Sequence, residues 1–275
     1  MPLVTTPTGV SLHYDTFGDP DYPPLLLIQG LGAHMLGWRA DFCRQLADVG
    51  FHVLRFDNRD VGLSQKFPRG GYTLADMADD TAGLLTALGI PAAHVVGQSM
   101  GGMVAQQLAL DHPTHVITLA LIYTAPSTAY IAGRDLVDKR THRPRARDRD
   151  EAIAQYLDNE AVCSSPAYAQ DVAWLRELGG QMYDRDYDPD GILRQMESLD
   201  HSPDRAPHLH RITVPTTILH GDGDPLIGPD GSKVMHELIA DSKLTIYPGM
   251  GHELPEPLWP QIITQIRDNT ARRSA

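Results

Sequence analysis

A buried strand that runs directly into a helix through Gly97-Gln98-Ser99-Met100-Gly101 constrains this chain more than any other feature. In the segment HVVGQSMGGMVAQQLAL (94–110) the apolar run ends at the first glycine, and a helical pattern starts at Met100. So tight a turn has a steric requirement: a Cβ at 97 or 101 would meet neighbouring backbone. The turn leaves Ser99 in a strained conformation, its hydroxyl pointing out of the sheet. The helix aims its first free amides at any anion that develops there. The bare Gly-x-Ser-x-Gly pattern is a weak signal, with odds of a chance match of roughly one in ten in a chain this long. Its place between a strand and a helix is what makes Ser99 a candidate nucleophile.

The rest of the chain supplies the sheet. PLLLIQG (24–30), HVLRFD (52–57), HVVGQS (94–99), HVITLALIY (115–123), TTILHGD (216–222) and KLTIYPG (243–249) are apolar runs too continuous for half-exposed strands. Helical patterns separate them at Arg39–Val49, Thr73–Leu88, Met100–Asp111, Asp230–Ala240 and Pro257–Asn269. The alternation predicts an α/β fold, a mostly parallel sheet with helices on both faces. VTTPTGVSLHYDTFGD near the start reads as an antiparallel hairpin that opens the sheet. Residues 126–208 contain no buried strand; helical patterns at Asp148–Asn159, Pro166–Leu178 and Pro189–Leu199 predict a helical insertion. The expected division is a core of 1–125 and 209–275 with a helical cap of 126–208 over Ser99. The basic run KRTHRPRARDR (139–149) within the insertion reads as a solvated loop and helix start.

A serine hydroxyl needs a base. Of 13 histidines, His252 is the candidate, because YPGMGHELPEP follows the last strand and places it on the sheet edge that carries Ser99. His94, His112, His115 and His220 lie in or beside strands and helix ends and read as structural. The orienting carboxylate comes from ILHGDGDPLIGPD (218–230), which offers Asp222 and Asp224. Asp224 is the expected acid, since Pro225 pushes it to an extended conformation facing the His252 loop. Asp222 remains the alternative. The loop after the first long strand, Gln29-Gly30-Leu31-Gly32, offers the Leu31 amide as one oxyanion donor, and the amide of Met100 is the other. His208-Leu209-His210 has metal-like spacing but no accompanying Cys or carboxylate cluster, so no metal is expected.

In these motifs and their order the whole chain resembles the α/β-hydrolase superfamily. Gln29 stands where that family usually has a histidine before Gly30, and DNRDVGLS (57–64) has Asp60 for the usual glycine. With GQSMGGM (97–103) and DRDYDPDGILRQM (184–196), the chain is similar to a bacterial subgroup of aclacinomycin methylesterase-like proteins. The resemblance implies an α/β-hydrolase fold with a cap, ester hydrolysis through an acyl-enzyme, and no cofactor. Alternatives within the same chemistry are lactone opening, carbon–carbon hydrolysis and perhydrolysis; outside it stands a hydrolase-derived receptor with slow turnover.

Met35, Trp174, Met182 and Met250 are the candidate substrate-binding side chains, and would make an apolar, adaptable pocket suited to acyl or aromatic esters. A net charge of -12 disfavours nucleic acid and anionic membrane as partners. The composition leaves a homodimer open. The first residues have neither the basic nor the apolar region of a secretory signal, so a soluble, cytoplasmic protein is expected. Two cysteines, Cys43 and Cys163, are expected as buried free thiols.

Overall fold

A computed structural model describes residues 2–272. Eight strands form one sheet in the order β1-β2-β4-β3-β5-β6-β7-β8. They span Leu3–Thr5 (β1), Ser11–Phe17 (β2), Pro24–Ile28 (β3), His52–Phe56 (β4), Ala93–Gln98 (β5), Val116–Ile122 (β6), Thr216–Gly221 (β7) and Ser242–Tyr247 (β8). β1 and β2 form the expected hairpin, with Thr5 opposite Ser11, and β2 pairs antiparallel with β4. Every other pairing is parallel.

Period-two alternation divides the apolar residues between two faces. Leu26, Ile28, Leu54, Phe56, Val95, Leu119, Leu121 and Ile218 face one core, which helices α2 (Leu74–Ala87), α3 (Met100–Asp111) and α8 (Asp230–Leu238) cover. Leu25, Leu27, Val53, Val96, Ala120, Ile122 and Leu219 face the other, beneath α1 (Ala40–Asp48) and α9 (Trp259–Ala271). Both sheet faces are covered, which is why the strands read as continuous apolar runs.

The chain passes from β3 to β4 on one side and then to β5 on the other, so the strand order reverses at the β3–β5 boundary. A crevice opens there at the carboxyl ends of the strands. The turns after β3 and β5, with Leu31 and Ser99, border that crevice.

Four helices and no strand lie between β6 and β7: α4 (Arg134–Thr141), α5 (Arg149–Cys163), α6 (Val172–Arg185) and α7 (Pro189–His201). α4 corrects the expectation of a loop, since the basic run begins inside its last turn. Pairs at i,i+4, Arg134–Asp138 and Asp135–Lys139, support it. The α6 pattern is displaced from 166–178 to 172–185. Asp171 caps its first turn through the Trp174 amide, while Pro166 lies outside it, against Gly223. Cys43 and Cys163 are buried and unbridged. Among the described residues no helix is long and apolar enough to cross a membrane.

Candidate active site

Ser99 adopts φ 53°, ψ −125°, a conformation disfavoured for a residue with a Cβ. Packing enforces it. A Cβ on Gly97 would meet the Gly101 carbonyl, and one on Gly101 would meet the Ile28 carbonyl. The Ser99 amide donates to Ile122 O at 3.0 Å, and Thr124 Oγ1 donates to Ser99 O at 2.7 Å. The strain, of order 1–3 kcal/mol, is thus held by backbone on both sides.

Ser99 Oγ lies 2.9 Å from His252 Nε2, and His252 Nδ1 lies 2.7 Å from Asp224 Oδ2. Residues 153 and 28 positions apart in the chain therefore form one hydrogen-bonded line. The other Asp224 oxygen accepts the Leu226 and Ile227 amides at 2.8 and 2.9 Å. Burial opposes ionisation of Asp224. His252 beside it, with hydrogen bonds from His220, His252 and the Ile227 amide, outweighs that and holds the carboxyl well below the usual carboxylate range. His220 braces this turn from behind. Its Nε2 is 2.7 Å from Ile227 O and its Nδ1 is 2.6 Å from Ser232 Oγ. Asp222 faces elsewhere and accepts the Gly249 amide at 2.6 Å.

The Leu31 and Met100 amides have no hydrogen-bond partner among the described residues, and both residues line the cavity that holds Ser99. The neighbouring Gly30 and Gly32 amides are occupied, by Gln29 Oε1 and Gln195 Oε1, each at 2.8 Å. Gln29 therefore anchors the loop through its own side chain. Gln98 Nε2 donates to Gln29 Oε1, and Tyr123 OH donates to Gln98 Oε1. Tyr123 ends this chain with its ring 4.7 Å from the His252 ring. Sequence reasoning missed the network, because its three members come from three separate strand ends.

A cavity of about 300 Å³ lies above Ser99. Trp174 and Met182 line it, joined by Met103 and Met196. Met35 and Met250 do not, contrary to expectation. Met35 is fully buried, its amide bound to Asp57 Oδ1 at 2.8 Å. Met250 packs in the core beneath α9 and approaches Gly221 through its backbone. Apolar composition alone does not distinguish core from cavity wall. The lining also holds Arg140, Asn159, Glu160 and Glu253, which no motif in the chain singled out. Among the described residues no group of three His, Cys, Asp or Glu is placed to hold a metal ion.

Fold and site together define a hydrolase of the α/β type. The family model described as "alpha/beta hydrolase fold" matches residues 23–256, and the chain belongs to that family. It is similar to the rhodomycin D methylesterase DauP of Streptomyces sp. (strain C5), 28% identical and covering 96% of this chain and 98% of the relative. DnrP of Streptomyces peucetius, also a rhodomycin D methylesterase, is likewise 28% identical, covering 95% and 96% of the two chains. Among solved structures, a hydrolase from Pseudomonas aeruginosa superposes with a TM-score of 0.78 at 26% identity, covering 98% of this chain and 97% of its own.

Proposed function

We propose that this chain is a serine carboxylic-ester hydrolase in which Ser99, His252 and Asp224 act as a triad through an acyl-enzyme. The observation that carries the reading is the line Ser99 Oγ–His252 Nε2–His252 Nδ1–Asp224 Oδ2, at 2.9 and 2.7 Å, with the serine open to a cavity. In the first half-reaction Ser99 Oγ attacks the ester carbonyl while His252 Nε2 takes its proton. The tetrahedral oxyanion is bound by the Leu31 and Met100 amides. His252 then returns the proton to the departing alcohol. In the second half-reaction water, deprotonated by His252, releases the acid. Asp224 holds the imidazole in the tautomer with Nδ1–H and stabilises the imidazolium. Residues 126–208 act as a cap that excludes water from the reacting carbonyl. The substrate is a small-molecule ester with an apolar acyl or aromatic part, in keeping with the lining by Met103, Trp174, Met182 and Met196.

Ser99→Ala tests the reading. It is expected to remove nearly all turnover of p-nitrophenyl acetate, leaving residual activity from the oxyanion donors and binding. A fluorophosphonate should label the wild type and not the variant, at equal folded content by circular dichroism. Equal labelling of both would place the nucleophile elsewhere.

A further inference from the structure

Besides Ser99, His252 and the polar groups of Gln29, Gln98, Tyr123 and Arg39, the cavity wall has a polar sector where α4 and α5 present Arg140, Asn159 and Glu160. The hydrogen-bonding capacity of this sector is only partly filled. Arg140 spends one donor on Cys163 Sγ at 3.0 Å. That sulfur is a weak, neutral acceptor, its thiol pushed up to about 12 by burial. The guanidinium reaches no carboxylate at hydrogen-bond distance; the nearest contact is Glu160 Oε1 at 3.8 Å. The Glu160 carboxylate in turn accepts no hydrogen bond among the described residues, the Gln170 Nε2 donor going to its backbone carbonyl, and burial raises the carboxyl above the ordinary range. Asn159 Oδ1 beside it is buried without a donor. Glu253, the other carboxylate of the sector, is already used: its oxygens accept the Ser165 amide at 2.7 Å and Gln170 Nε2 at 2.9 Å.

We propose that Arg140 and Glu160 form a recognition site for a neutral group that both accepts and donates hydrogen bonds, a hydroxyl or carboxamide, carried by the substrate away from its ester carbonyl. The inference rests on the ester-hydrolase reading above and narrows its substrate class to polar-functionalised esters. Charge balance selects the neutral group. A guanidinium and a carboxylate at 3.8 Å already compensate one another, so an anionic ligand would face Glu160 and a cationic one would face Arg140. A hydroxyl inserted between them accepts from Arg140 and donates to Glu160 without upsetting that balance. The structural alternative is that Arg140 only supports the carboxyl end of α5, where Cys163 is the last residue. Such a role would not discriminate between substrates.

The test uses p-nitrophenyl esters of straight-chain acids ending in hydroxyl, carboxamide, carboxylate, ammonium or methyl, each at several chain lengths. The wild type is expected to favour hydroxyl or carboxamide over the methyl isostere by about tenfold in kcat/KM at one chain length, chiefly through KM. Arg140→Met and Glu160→Leu should each bring that ratio close to one, whereas Glu160→Gln should retain it. A preference for carboxylate or for ammonium would overturn the neutral-group assignment, and so would a preference for methyl. Loss of the ratio in neither Met nor Leu variant would leave Arg140 a support for α5 and likewise overturn it. Turnover of p-nitrophenyl acetate reports separately on ester cleavage. If acetate is not cleaved, the ester-hydrolase reading fails, and recognition is then read from tryptophan-fluorescence titration with methyl hydroxyhexanoate against methyl hexanoate. Equal binding of the two would overturn it.

Discussion

At the scale of single residues, two aspartates that follow β7 serve different partners. Asp224 Oδ2 meets His252 at 2.7 Å, while Asp222 Oδ1 ties the Gly249 amide across the tops of β7 and β8 at 2.6 Å. Asp224→Asn should therefore lower kcat by roughly 10⁴, because the imidazole loses its orienting anion. Asp222→Ala should leave most of kcat and cost about 1 kcal/mol of stability, a fall of about 2–4 °C in a chain of this size. Parallel kinetics and thermal melts of the two variants check both outcomes; the reverse pattern would exchange their roles. The positions of Ser99, His252 and Asp224 were legible because each follows a strand: Ser99 in a turn with flanking glycines at 97 and 101, Asp224 before Pro225, and His252 in the loop after the last strand. Met35 and Met250 were misread because nothing in a methionine's neighbourhood tells a cavity wall from a core. The Gln29–Gln98–Tyr123 chain was not legible at all, since Tyr123 comes to it from β6 in a positive-φ conformation that no glycine announced.

At the scale of elements, α6 and α7 are fastened to the loops after β3 and β4 by buried polar contacts. Arg185 of α6 donates to Asp57 Oδ2 at 2.9 Å, and Arg194 of α7 pairs with Asp60 at 2.8 Å. Asp60 holds φ 70°, so the residue that replaces a glycine keeps the glycine's backbone and gains an ion pair. His34 completes the fastening: its Nδ1 lies 3.2 Å from Arg185 NH1, so the ring accepts from the guanidinium and must be neutral. Burial lowers its pKa to about 4, against 6.5 for an exposed imidazole; Asp57 raises it, and Arg185 and Lys66 lower it further. The unfolded chain takes up a proton below 6.5 that the native chain refuses until about 4. Stability is therefore lost as pH falls through that window, by about 3 kcal/mol across all of it and about 2 kcal/mol by pH 5. Asp224, held low, contributes its loss only at more acidic pH. His34→Asn keeps an acceptor for Arg185 without a titrating ring. Urea unfolding at pH 7 and pH 5 should show the wild type losing about 2 kcal/mol more than the variant. Equal losses would show that His34 is not buried neutral. Helix α7 was legible from its pattern, whereas α4 was hidden by a run of charge and α6 was displaced by a cap at Asp171 that sequence periodicity does not weigh.

At the scale of the whole molecule, the sheet and its covering helices were legible because continuous apolar strands must be buried on both faces. The cavity was legible only in part: Trp174 and Met182 were expected in its wall, but the rest of its lining was not, because a gap between the sheet edge and the helices of 126–208 has no sequence pattern of its own. Both halves contribute to it: Ser99 and His252 from the turns after β5 and β8 and Met103 from α3, Trp174, Met182 and Met196 from α6 and α7. The side chains from the helical half are not equally committed to packing: Met196 is buried among the core residues, and others are only partly buried. Met182 is one of these, since it is only partly buried and projects from the last turns of α6. Trp174 is less suitable for a test, because Arg39 stacks over its ring at 4.8 Å and also over Trp259 at 5.0 Å, so its removal would loosen the helix from α9. Met182→Ala should lengthen the cavity by about the space of two or three methylenes. Each methylene newly buried is worth about 0.8 kcal/mol, close to fourfold in kcat/KM. The chain-length optimum across p-nitrophenyl esters should therefore move toward longer acyl groups by about two carbons, with a stability cost of at most about 1 kcal/mol. A profile that falls uniformly without moving its maximum would mean that the substrate's acyl chain does not reach α6.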